Sequence, residues 1–178
     1  MTSQVQAYSP GELDPRWAPE VWELLIQVNH EFVPPLSSRG STTAKQLDKQ
    51  AGEDLPHAYY SNVLGQHNLL ACAGPALLGL ASFILHHQDR ALLEWGACTY
   101  LSTIAVNPAY RRDGVGLLLY QHLISLSRAS GDLAVATRTW GTNISHLALL
   151  SRLGFVEITR IANHRGPGID TVYLIKPH

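Results

Sequence analysis

The sequence predicts a mixed α/β sheet flanked by helices, in a single domain over residues 1–178. Three observations carry that prediction. Apolar strand-like runs alternate with helix-periodic stretches along the chain. An apolar run, a turn, a glycine loop and a helix start follow one another between Leu101 and Leu117. A length of 178 residues fits one domain and can bury a sizeable core.

The elements follow in order. A short strand is expected near Val5–Tyr8. A helix from about Pro19 to Glu31 places Val21, Leu24, Leu25 and Val28 at helical spacing. Pro34-Pro35 prevents that helix from continuing. A second helix is expected to start near Thr42–Thr43 and to include Leu47. The segment Leu55–Gln66 is ambiguous. Leu69–Leu85 holds no charged residue but falls short of the roughly 20 residues of a membrane-spanning helix. Gly74-Pro75 interrupts it, so it reads as two buried strands around a turn, Leu69–Ala73 and Ala76–His86. A strand at Cys98–Val106, a helix at Gly114–Ser130 broken by Gly131, a strand at Leu133–Thr139 and a helix at Asn143–Leu153 come next. Phe155–Ala162 and Thr171–Ile175 read as closing strands.

Composition narrows the partners. A net charge of −1 makes no electrostatic case for nucleic acid or a membrane, and Arg111-Arg112 is a local pair, not a basic stripe. Cys72 and Cys98 show neither metal spacing nor a disulfide framework, and read as buried, reduced thiols. The nine histidines are scattered. His86-His87 would point to opposite faces of a strand, which makes a poor chelate, so no metal is expected. Met1–Pro15 is polar and lacks the apolar core of a signal peptide, so a cytoplasmic protein is expected.

The chemistry concentrates at Val106-Asn107-Pro108-Ala109-Tyr110-Arg111-Arg112-Asp113-Gly114-Val115-Gly116. The first N–H groups of a helix lack intrahelical partners, and the helix dipole adds partial positive charge there. Glycines remove the Cβ atoms that would hold a phosphate away. Arg111 and Arg112 add forked cationic donors. The expected ligand therefore carries phosphate or pyrophosphate. No G-x-x-x-x-G-K-[ST] is present, and Leu119 replaces the third glycine of a dinucleotide fingerprint. What matches is R-x-x-G-x-G, at Arg111, Gly114 and Gly116, after an apolar strand. This pattern resembles the coenzyme A loop of the GNAT superfamily of acyl-CoA N-acyltransferases. Asn143–Phe155 looks like that family's Asn, helix, Gly-Phe segment. Thr142 or Asn143 can cap the helix, Ile144, Leu147, Ala148, Leu150 and Leu153 supply a broad apolar face, and Gly154 stops it. The resemblance covers roughly residues 69 to 176.

The resemblance implies a GNAT-like N-acetyltransferase domain with acetyl-CoA as donor and no metal. Two neighbouring strands, here Cys98–Val106 and Leu133–Thr139, would splay around the pantetheine arm. Backbone groups of Ile104, Ala105 and Val106 would bond that arm, with an N–H near Ile104 facing the thioester oxygen, where charge grows during transfer. Arg111, Arg112, Asp113, Gly114, Val115 and Gly116 would hold the phosphates, with Asn143 contributing. Many members carry an acidic tyrosine where this chain has Leu150, and a carboxylate where it has Tyr100 or Ser102; Glu94 lies farther upstream. Tyr100, Ser102 and Ser151 are thus the candidate catalytic groups, with purely structural roles as the alternative. Phe32, Arg39 and Trp140 are the candidate acceptor-binding residues. Phe32–Arg39 would border the acceptor pocket or else seal the core, and Arg39 or Arg165 would favour an acceptor with a carboxylate. Neither cysteine sits in a motif that activates a thiolate, so direct transfer in a ternary complex is expected. Two functions stay open: acetyl transfer to an amine of a small molecule or protein, and a CoA-binding sensor or interaction module that has lost catalysis. A homodimer is compatible with either.

Overall fold

The computed structural model describes residues 3–40, 42, 55–88 and 90–178. It shows a mixed sheet of seven strands in the order β1-β2-β3-β4-β5-β7-β6, with four α-helices among the described residues. The strands are β1 (Gln4–Tyr8), β2 (His67–Ala73), β3 (Ala76–His87), β4 (Cys98–Val106), β5 (Ala134–Trp140), β6 (Val156–Ile161) and β7 (Thr171–Pro177). The helices are α1 (Ala18–Val28), α2 (His57–Leu64), α3 (Val115–Ser130) and α4 (Ile144–Arg152). The expected α/β class therefore stands. Internal packing divides the chain into two compact units, Met1–Phe83 with Ser102–His122, and Ile84–Leu101 with Leu123–His178.

In the first unit, Val21, Leu24, Leu25 and Val28 of α1 pack with Leu36, Tyr59, Val63, Leu70 and Leu80 in one cluster. The expected helix to Glu31 is α-helical only to Val28 and tightens to a 3-10 turn over Asn29–Glu31. Buried Asn29 then clasps the following loop: its Oδ1 accepts from Ser37 N at 2.8 Å, and its Nδ2 donates to Ser37 Oγ at 3.2 Å. The ambiguous segment forms α2, which buries Tyr59 and Val63 one turn apart and ends at Gly65. The helix expected from Thr42–Thr43 through Leu47 lies outside the described residues, apart from Thr42. The antiparallel pair β2–β3 turns at Gly74, with φ 59°. Gly79 on β3 permits close packing: a Cβ there would meet Ala105 O at 2.9 Å and Val115 Cγ1 at 3.0 Å.

In the second unit, β5 pairs in parallel with β4 and antiparallel with β7. Leu92, Cys98, Tyr100, Ala134, Ala136 and Ile175 form its core cluster. Asn143 caps α4, accepting from His146 N, and Gly154 (φ 82°) follows its end. The broad apolar face expected of α4 needs correction. Leu150 is fully buried, while Ile144 is 71% exposed and Ala148 is exposed too. Periodicity defines a face but not the width of what covers it. Among the described residues, no helix is long and apolar enough to cross a membrane.

Candidate donor and acceptor site

The donor loop grows out of the end of β4 in the first unit. Asn107 N donates to Leu78 O at 2.9 Å, and its Oδ1 accepts from Ala109 N at 3.0 Å, so the strand end is pinned before the turn begins. Arg112 and Gly114 then take left-handed conformations, with φ 70° and 81°. Leu118 N donates to Gly114 O at 2.9 Å, which makes Gly114 the residue from which α3 starts. The N–H groups of Val115, Gly116 and Leu117 occupy the first turn, where no intrahelical acceptor exists. Arg111, Arg112, Asp113 and Gly114 are exposed, and Val115 anchors the loop with 5% exposure. A Cβ on Gly114 would meet nothing within 4 Å. The residues thus make an open, donor-lined cradle that fits a phosphate.

Behind the loop, Ala105 is buried in the core cluster, and Ile104 and Val106 are half-buried. The β4–β5 ladder joins Thr99–Leu101 to Val135–Thr137, and β4 continues beyond it to Val106. Arg111 is already engaged: its Nε donates to Val106 O at 3.3 Å, and its Nη2 sits 2.6 Å from Glu31 Oε2. Sequence reading missed Glu31, for it lies 80 residues from its partner.

Two of the three acceptor candidates, Phe32 and Arg39, share one loop. Leu36 is fully buried and Phe32 packs against the cluster. Arg39 Nε donates to Pro34 O at 2.9 Å, and its guanidinium lies 5.4 Å from the Phe32 ring centroid and 6.0 Å from that of Tyr59. Arg39 therefore braces its own loop. Trp140, in the second unit, carries the Arg165 guanidinium at 5.8 Å, and Arg165 Nε and His164 Nδ1 both reach Thr171 Oγ1.

The three hydroxyl candidates occupy different settings. Tyr100 is 4% exposed in the second unit's core, tilted against the His87 ring at 4.8 Å. Ser151 is exposed on α4. Ser102 lies in the first unit with its Oγ 2.6 Å from Gln66 Oε1 and 3.0 Å from Ser82 O. Gln66 was not singled out by sequence; its Oε1 also accepts from Ser82 Oγ, and its Nε2 donates to Thr42 Oγ1 at 2.6 Å. His146 on α4 was missed as well. Its Nδ1 lies 3.2 Å from Thr139 Oγ1, as does Asn143 Nδ2, and burial pushes its pKa down to about 4, so the ring is neutral. Its signal was a polar residue one turn before Leu150. Both cysteines are buried and neither is in a disulfide; burial raises the Cys72 thiol to about 11, against a smaller lowering by Arg16. Among the described residues, no three His, Cys, Asp or Glu side chains gather as a metal site.

A family model described as Acetyltransferase (GNAT) family matches residues 29–155, spanning Phe32–Arg39, β4, Arg111–Gly116 and α4. The chain belongs to the GNAT acetyltransferase family. As a GNAT member it is an acyl-CoA-dependent N-acyltransferase. No curated protein matches the sequence. Solved structures share the GNAT fold at low identity. YncA from Salmonella typhimurium, solved with its cofactor acetyl-CoA, is 16% identical with a TM-score of 0.68, covering 99% of this chain and 94% of that one. The ribosomal-protein-S18-alanine N-acetyltransferase of Escherichia coli is 20% identical with a TM-score of 0.63, covering 98% and 94%. An N-acetyltransferase from Staphylococcus aureus Mu50 is 12% identical with a TM-score of 0.68, covering 99% of each chain.

Proposed function

We propose that this GNAT protein moves the acetyl group of acetyl-CoA directly to an amine within a ternary complex. The observation that carries the reading is the cradle at Arg111–Gly116, where open first-turn N–H groups, a bare Gly114 and two arginines converge at the end of β4. The phosphates would lie on Val115 and Gly116 N–H, with Arg111 and Arg112 as counter-charges. The acyl arm would run along Ile104–Val106. The neutral amine attacks the thioester carbon, forming the C–N bond; the C–S bond breaks, and the thiolate leaves and takes a proton from water. The amine's own proton goes to solvent. Holding both reactants together supplies much of the rate.

Among the hydroxyl candidates, Ser102 alone shares the donor loop's unit. A Ser102 proton held by Gln66 Oε1 leaves an oxygen lone pair free to accept from the incoming ammonium, which suits an orienting role. Core packing of Tyr100 favours a structural role for it, and exposed Ser151 has no positioned partner that argues for catalysis. Turnover of acetyl-CoA, followed as free thiol across an amine panel, tests the assignment. CoA binding with no turnover on any amine selects a CoA-binding module instead.

A covalent acyl-cysteine is disfavoured by the buried, raised Cys72 thiol. Cys72→Ala and Cys98→Ala are therefore expected to keep most of their activity, with intersecting double-reciprocal plots. An acetylated cysteine trapped by mass spectrometry, together with parallel plots, overturns direct transfer.

Phe32–Arg39 is proposed to set acceptor choice. Phe32→Ala should change the ranking of amines by bulk. Arg39→Ala should raise the acceptor Michaelis constant by loosening the loop, and leave that of acetyl-CoA within about twofold. If both variants alter only acetyl-CoA kinetics, the loop belongs to the donor side.

A further inference from the structure

Glu31 stands where two functional segments meet. It ends the 3-10 turn after α1, leads directly into Phe32–Arg39, and its Oε2 lies 2.6 Å from Arg111 Nη2 in the donor loop. We propose that Glu31 couples the two substrates: its carboxylate competes with a donor phosphate for Arg111 and, once exchanged, attracts a cationic amine to the start of the acceptor loop. The inference rests on the donor reading above.

Four observations support the exchange. The guanidinium edge that grips a carboxylate is the same edge that grips a phosphate. Arg111 Nε is held by Val106 O at 3.3 Å, so the fork is aimed from the strand end and Glu31 occupies one of its edges. Both side chains are about half exposed, 42% for Arg111 and 48% for Glu31, and ion pairs so exposed are weak enough for an incoming dianion to displace. The loop that receives the change is braced internally by Asn29–Ser37 and by Arg39 on Pro34 O and Phe32, so Glu31 carries its charge on a fixed frame.

Charge then selects the acceptor class. The Arg39 Nε is taken up by Pro34 O, whereas Glu31 stands exposed at the start of the loop. A carboxylate freed at residue 31, at the start of the acceptor loop, favours a cationic amine there. Because binding couplings are reciprocal, a cationic acceptor drawn to Glu31 tightens the donor by the factor with which the donor tightens it.

The test compares Glu31→Gln and Glu31→Asp with wild type by calorimetry, using CoA and pantetheine. Pantetheine carries no phosphate. Glu31→Gln should bind CoA about threefold more tightly, as expected for removal of one weak competing ion pair, with pantetheine affinity unchanged. Glu31→Asp, which keeps the charge but shortens its reach, should shift CoA in the same direction. Among the amines turned over, wild type should favour those with a second positive charge. Glu31→Gln should lose that preference through the Michaelis constant, with kcat retained. Unchanged or weaker CoA binding in Glu31→Gln makes Glu31 a prop for Arg111 and overturns the coupling alone. Absence of CoA binding by the wild-type protein overturns the donor reading, and the coupling with it. A wild-type preference for amines bearing a carboxylate overturns the acceptor class.

Discussion

Gly114→Val yields a folded protein that no longer binds CoA, with affinity down by at least about a hundredfold, or ~2.7 kcal/mol. The backbone at Gly114 is left-handed, φ 81°, and a β-branched residue there costs about 1–2 kcal/mol in strain. That loss is small beside the stability of an ordinary domain. The protein itself leaves the space clear, since nothing lies within 4 Å of a Cβ at this position. The branched carbons therefore meet only what enters the cradle, and they hold a phosphate away from Val115 and Gly116 N–H. Gly114→Asn separates strain from obstruction. Asparagine tolerates this backbone region but still carries a side chain, so it should also weaken CoA strongly. Calorimetry that finds normal CoA affinity in folded Gly114→Val would falsify the placement of the phosphates.

Asp132→Ala should lower stability by about 2–4 kcal/mol at neutral pH, because buried hydrogen bonds to a charged group are among the strongest single contributions. The Asp132 side chain is fully buried just after Gly131 ends α3. Its Oδ2 accepts from Thr99 Oγ1 at 2.6 Å and from His86 N at 3.2 Å, and its Oδ1 meets His86 Nδ1 at 2.8 Å. These bonds hold His86 in a left-handed conformation, φ 53°, where β3 ends. Burial alone raises the carboxyl pKa, but hydrogen bonds from Thr99 and His86 and the charge of His86 outweigh it, and the net shift is downward. A carboxyl lowered in the folded state contributes stability that is present above the ordinary value of about 3.9 and lost as pH falls through the folded value. The gap between wild type and Asp132→Ala should therefore be full near pH ~7 and narrow below about pH 4. Urea unfolding across that range checks it. A gap that stays constant into acid would mean that the side chain acts by packing and not by charge.

Local signals were legible. Leu69–Leu85 reads as two strands because Gly74-Pro75 divides an uncharged run, and the hairpin forms there. The turn at Arg111–Gly116 reads from a few consecutive residues because a helix start, a left-handed glycine and a basic pair are each short-range features. Asn143 reads as a cap for the same reason. Where partners come from distant segments, reading failed. Ile144 belongs to a periodic apolar face yet stands in solvent. Arg39 reads as a pocket cation, but its guanidinium lies 6.0 Å from the ring of Tyr59 on α2. Ser102 reads as a lone hydroxyl, whereas Gln66, 36 residues away, fixes its proton.

The sequence by itself determined the seven strands and the helices α1, α3 and α4 in their order, the α/β class, the glycine turn that starts α3 and, through its two motifs, the GNAT family. Each depends on interactions within a few turns of chain, so the residues that make them are neighbours on the page. Only the tertiary structure decided what those residues do next: that Arg111 is paired with Glu31, that Asp132 locks the end of β3, and that α4 leaves Ile144 and Ala148 of its apolar face in solvent. Such pairings depend on where packing brings two distant segments within about 3 Å, the range over which hydrogen bonds form.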